Sequence, residues 1–138
     1  MANDLYTKGR QNLIGSVDLL NDTIKASLVD TGVYSPSITT DEFIDDIPNN
    51  AIISTQTLSG KSITDGVFDA SNPTFINVPS SANTIELVVI WQDTGTPANS
   101  ALIAYIDTAT GLPTTPNDGN ITVTWDDGTN KIFKITTG

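Results

Sequence analysis

Two short, almost continuous apolar runs constrain this chain most: residues 87–91, "LVVIW", and residues 101–106, "ALIAYI", joined through the polar loop "TGTPANS". Each is too short for a buried helix and is rich in β-branched and aromatic side chains. A strand with one wet face would alternate apolar and polar residues. A strand without alternation belongs in the middle of a sheet buried on both faces, or at a subunit interface. The pair predicts two adjacent central strands.

The remaining pattern is also mostly β. In "TIKASLVD", residues 23–30, Ile24, Ala26 and Leu28 point one way, and Lys25, Ser27 and Val29 the other, which predicts a half-buried strand. A strand is expected from Ala51 to about Leu58, with Gly60 as a bulge or bend. Asp65 and Gly66 form a tight-turn pair, followed by strands near Val67 and Phe68 and over residues 74–78. "ITVTWDDGTNKIFKI", residues 121–135, reads as a β-hairpin. Ile121, Val123 and Trp125 share its inner face, Asp127 and Gly128 turn the chain, and residues 131–135 return. Residues 107–120 form a long loop with Gly111, Pro113, Pro116 and Gly119.

Two helices are expected. One runs over about residues 3–14, with Asn3 as N-cap and Leu5, Tyr6, Leu13 and Val17 on one face; Gly9 weakens it. The other is short, near residues 40–47. Thr39 and Glu42 have capping-box spacing, Phe43, Ile44 and Ile47 face the core, and Pro48 stops it. The resulting fold class is mainly β: a β-sandwich or small barrel of about seven or eight strands. Residues 1–20 form an N-terminal helix or arm, and residues 21–138 a single β-rich domain.

The chain has 138 residues, with 38% hydrophobic content, enough to bury a core. It lacks cysteine and histidine. Disulfides, thiolate zinc sites, cysteine nucleophiles and Ser-His-Asp hydrolases are thereby excluded. Sixteen acids against six bases give a net charge of −10, which opposes binding to phosphate backbones or anionic lipid surfaces. No segment approaches the roughly 20 apolar residues that span a bilayer. The polar start, "MANDLYTKGRQN", lacks the apolar stretch of a signal peptide, so synthesis and retention in a cytoplasm are expected.

The acids of residues 106–128 invite a metal or sugar reading. Asp118 precedes Gly119 and Asp127 precedes Gly128, and turns select that pairing. "PNDGN" lacks the regular ligand spacing of an EF-hand loop. Only Glu42 and Glu86 are glutamates, and no motif marks a catalytic carboxylate pair. Tyr34, Trp91, Tyr105 and Trp125 could form a sugar platform, although such residues more often fill cores and interfaces. No enzyme activity is expected, and no catalytic, cofactor-binding or metal-ligating residue is assigned.

Several stretches resemble a group of small structural (virion) proteins of tailed bacteriophages: "NDTIKASLVDTGVYSP", "FIDDIP", "LSGKSITDGVFDASNPTF", "IWQDTGTPANSALIAYIDTATGLPTTPNDG" and "ITVTWDDGTNKIFKI". The resemblance covers nearly the whole chain, and residues 64–68 and 93–133 are its most specific parts. It implies a virion component, with a capsid decoration (cement) protein as the expectation and a tail or fibre component, glycan-binding or not, as the alternative. An acidic, cysteine-free β domain suits the outer surface of a head, away from packaged DNA. The expected partners are the major capsid protein and further copies of the chain, a trimer among the options, with no nucleic acid and no membrane. Leu5, Tyr6, Lys8, Arg10 and Leu13 are the candidate partner contacts: an amphipathic set carrying the one basic pair near that end.

Overall fold

The structure, a computed structural model, describes residues 3–80 and 82–135. Its main element is a five-stranded antiparallel sheet. In chain order its strands are β1 (Asp4–Leu5), β2 (Ile24–Val29), β3 (Ile52–Thr57), β7 (Leu87–Gln92) and β8 (Leu102–Ile106), and their spatial order is β1-β8-β7-β2-β3. The two apolar runs are β7 and β8, paired from Val88 opposite Ile106 to Trp91 opposite Leu102. Ile103 is the extra residue of a bulge in this pair.

Both faces of the sheet are covered. Ile24, Ala26, Leu28, Val88 and Ile90 enter the larger apolar cluster, while Val29, Leu87, Val89 and Leu102 enter a second one. The second is closed by the segment between β2 and β3, through Tyr34, Ile44, Ile47 and Ala51. This explains why β2 is buried more fully than its alternation predicts: the face bearing Ser27 and Val29 is covered too.

The larger cluster is capped by two small sheets. One holds β4 (Ser62–Thr64), β5 (Val67–Asp69) and β10 (Phe133–Lys134); the other holds β6 (Thr74–Phe75) and β9 (Ile121–Thr122). Phe68, Phe75, Val123, Trp125 and Ile132 supply their side of the core. Among the described residues the architecture is therefore mainly β, ten strands in three antiparallel sheets, arranged as a sandwich whose outer strands β1 and β3 do not pair to close a barrel. Asp65 and Gly66 make the expected two-residue turn between β4 and β5, with φ of 51° and 79°, both in the left-handed region that type I′ demands.

Three expectations are corrected. The helix α1 occupies Thr7–Gly15 and starts after Tyr6; residues 4 and 5, expected inside it, form β1. The short helix near residues 40–47 is only a 3₁₀ turn at Ile44–Asp46. Phe43 is extended and bridges Ala101; Ile44 N–H donates to the Ser100 carbonyl at 2.8 Å, and Leu102 N–H to that of Glu42 at 2.8 Å. Pairing with the start of β8 takes the backbone groups that a helix would need. Asp46, not Thr39, caps the turn by accepting the N–H groups of Glu42 and Phe43 at 2.8 and 3.0 Å.

The third correction concerns residues 121–135, which do not form a hairpin. β9 pairs with β6, and β10 pairs with β5. Residues 123–125 are held from both sides instead. Val123 N–H donates to the Pro73 carbonyl and Trp125 N–H to Asn72 Oδ1, while Thr124 exchanges two bonds with Thr110. The facing pattern is as expected: Ile121, Val123 and Trp125 are buried, and Thr122 and Thr124 are exposed.

Candidate functional site

The N-terminal segment is stitched to the outer edge of β8. Asp4 lies opposite Tyr105 and Leu5 opposite Ala104, and Tyr6 N–H donates to the Ile103 carbonyl at 3.0 Å. Asn3 reaches further along: its Oδ1 accepts the Asp107 N–H at 2.7 Å and its Nδ2 donates to Thr108 Oγ1. Gly9 has a reason beyond helix propensity. A Cβ there would lie 2.6 and 2.7 Å from the carbonyl oxygens of Ile103 and Leu102, so only glycine lets α1 rest on the backbone of β8.

Tyr6 locks this arrangement from inside. It is fully buried, its hydroxyl lies 2.7 Å from that of Tyr34, and Tyr34 donates to Asp41 Oδ2 at 2.7 Å. Desolvation raises the Tyr6 hydroxyl far above the ordinary tyrosine range; the Tyr34 hydrogen bond opposes that shift without reversing it. Tyr34 is raised further, first by desolvation, with its contacts to Tyr6 and Asp41 adding to the shift. Both hydroxyls stay protonated, so the chain of donors from the N-terminal segment to the β2–β3 connection persists at any ordinary pH.

The five candidate contacts therefore separate. Tyr6 is a core residue and offers no surface to a partner. Leu5 is half-buried against the larger core cluster. Arg10 is exposed but turned back on its own segment, 3.5 Å from Asp4 Oδ1 and 3.3 Å from the Leu5 carbonyl. Lys8 is half-buried. Leu13 alone of the five lines an apolar groove of about 350 Å³, together with Val17, Leu19, Ile63, Phe68, Phe133 and Ile135. Ile63 and Ile135 on its wall are 45% and 50% exposed, and Ile14, next to Leu13 on α1, is 91% exposed.

The groove was missed in the sequence, but it had a signal. Leu13 and Ile14 are consecutive residues of one helix and so diverge by about 100°. Where Leu13 turns toward the groove, Ile14 must face solvent. The other wall comes from β5 and β10, which only the tertiary fold brings beside α1.

The acids are structural staples. Asp118 Oδ1 accepts the Ser80 N–H at 2.8 Å, and Oδ2 accepts the Ser80 hydroxyl at 3.0 Å; these bonds, backbone first, hold its carboxyl below the usual range. Asp126 accepts the N–H of Gly128, and Asp127 pairs with Lys131 at 2.5 Å. Among the described residues, no three acids come close enough together to hold a metal ion. Two of the four candidate sugar-platform aromatics are buried: Tyr34 and Trp125 are each 5% exposed. Trp91 is half-buried, donates to Ser27 Oγ at 2.8 Å and lies under the Lys25 ammonium, 5.8 Å from its ring centroid. Tyr105 stands edge-on to Tyr6. Among the described residues, no helix is long and apolar enough to cross a membrane.

Compared with known proteins, the chain matches no family model and no curated protein.

Proposed function

We propose that this protein is a bacteriophage virion structural protein of the capsid decoration (cement) type, bound to the major capsid protein on the outer surface of the head. The observation that carries the reading is the exposed apolar surface at the end of α1. Ile63 at 45% exposure and Ile135 at 50% line the groove, and Ile14, at 91%, stands in solvent next to the groove residue Leu13, on a chain whose net charge is −10. An acidic protein that keeps aliphatic side chains in water around a groove has a surface suited to a protein partner. The resemblance to phage virion proteins names the partner class, and the charge favours the side of the shell away from DNA.

The mechanism is mechanical. Each copy seats an aliphatic element of the capsid in the groove and spans a joint between subunits. A few kcal/mol per copy suffices, because many copies engage one shell. The protein is made in the host cytoplasm, where a fold without disulfides loses nothing to reduction.

The test adds purified wild type and Ile14→Asp to capsids stripped of the protein, and measures occupancy and resistance of the particles to heat. Ile14 makes almost no intramolecular contact, so the variant should melt at the wild-type temperature while its occupancy falls at least tenfold. Equal occupancy would remove Ile14 and the exposed end of α1 from the interface. Wild type that ignores capsids and pellets with isolated tails would replace decoration by a tail role.

A further inference from the structure

The large sheet and the layer opposite it leave an opening along one side. A cleft of about 540 Å³ lies between β1 with the end of β8 and the stretch 126–134 that leads into β10. Its volume falls in the range of sites that take small organic ligands. It is distinct from the groove at α1; Phe133 forms part of the wall of each.

The floor of the cleft is apolar. Ala104, Ile106 and Ile132 belong to the larger core cluster, and Leu5 packs against it. The charged residues of the lining cancel: Asp4 and Asp126 against Lys131 and Lys134. On a chain of net charge −10 this is a locally neutral surface, which gives no advantage to a phosphate, a metal ion or a charged peptide.

The polar groups of the cleft also have capacity to spare. Asp4 and Asp126 accept the N–H groups of Leu5 and Gly128 through Oδ1 alone, and among the described residues no hydrogen bond reaches the second oxygen of either. The side-chain amide of Asn130 makes no hydrogen bond among the described residues. The Thr108 hydroxyl accepts from Asn3 Nδ2 and keeps its own proton to donate. Ile135 N–H donates to the Gly66 carbonyl at 2.9 Å, so Lys134, opposite Val67, turns its own N–H and C=O away from β5 at the cleft wall. Lys131 is held at φ of 47°, in the left-handed region, with its ammonium tied to Asp127 at 2.5 Å. Backbone strain of this kind gathers at ligand sites.

We propose that this cleft binds a neutral saccharide, one ring resting its C–H face on the floor with its hydroxyls on the rim. A sugar hydroxyl donates and accepts at once, so it matches a rim that mixes donors and acceptors, and the ring carbons beneath gain from leaving water for an apolar floor. Of the four aromatics that the sequence offered as a sugar platform, Tyr105 alone lines the cleft. The cleft is open to solvent, so a bound ring stays partly wet and the affinity belongs in the millimolar range. Many copies on one particle would raise it by avidity.

NMR titration of the isotope-labelled full chain with the methyl glycosides of glucose, galactose, mannose and N-acetylglucosamine, each up to about 50 mM, covers that affinity range. At least one glycoside should shift the amide signals of Thr108, Asn130 and Lys134 and leave that of Ile14 unmoved. Inorganic phosphate at the same concentration should bind more weakly. Asn130→Ala and Thr108→Val, with unchanged circular dichroism, should each weaken binding about three- to tenfold, the loss of one hydrogen bond. Ile14→Asp should bind the glycoside as wild type does, so a failure of capsid attachment and a failure of this site are read separately. No shift with any of the four glycosides, shifts confined to residues outside the cleft, a stronger response to phosphate than to every glycoside, or full affinity in both Asn130→Ala and Thr108→Val would overturn the proposal.

Discussion

The five-stranded sheet and the layer opposite it enclose the same core by different means. In the sheet, β2, β7 and β8 run five or six residues and bond to neighbours on both sides, so the backbone satisfies itself and the side chains can be apolar on both faces. The opposite layer has strands of two or three residues with irregular chain between them. There, side chains complete the bonding. Asn72 accepts the Trp125 N–H, Asp118 holds Ser80, and Thr74 meets Thr122 at 2.9 Å. The difference shows why a chain rich in Asp, Asn, Ser and Thr need not be building a site. Irregular backbone beside a core requires polar side chains to pair what a ladder would have paired.

The sharpest way to break this comparison is to remove the largest side chain the second layer sends into the shared core. Trp125→Ala should cost about 3–5 kcal/mol, read from urea unfolding. A loss under about 1 kcal/mol would mean that the layer is an appendage and that the sheet stands without it.

A smaller effect separates the two modes of bonding. Asn72→Ala leaves the Trp125 N–H without its acceptor at a part-buried site and should cost about 1–3 kcal/mol. Amide exchange should quicken at residues 123–125, while β7 and β2 keep their protection. Uniform loss of protection across both layers would show that they open as one unit.

The smallest effect is that of acid. Asp93 is held below the ordinary carboxylate value, first by its bond to Lys25 at 2.6 Å and then by the Gly95 N–H; Asp118 is held low by Ser80. In both, the unfolded chain, with carboxylates near about 4, takes up protons at higher pH than the folded one. Their contribution is complete above that value and is lost as pH falls through the lower folded values. Urea midpoints measured at neutral pH and near pH 3 should differ less for Asp93→Asn and Asp118→Asn than for wild type. Identical pH dependence in all three would show that these bonds carry none of the acid sensitivity.

Much was legible in the sequence because it is local. The period-two pattern of residues 121–125 put Ile121, Val123 and Trp125 inside, and Asp65-Gly66 named its own turn, since both depend on backbone geometry within a few residues. The unbroken apolar runs identified β7 and β8 as central strands, because only burial on both faces tolerates them. The partners of a strand are another matter. A ladder requires only an edge of matching register, and "ITVTWDDGTNKIFKI" offers itself to the nearest segment while Phe75 and Phe68 offer it deeper burial elsewhere. Gly9 reads as a weak point of a helix until β8 lies against it, and Tyr6 reads as a surface contact until Tyr34 arrives from 28 residues away. The groove lined by Leu13, Ile63 and Phe133 exists only between segments distant in the chain. Composition and periodicity set which faces are buried; the tertiary structure decided what each face and edge meets, because those contacts depend on long-range pairing that no local pattern encodes.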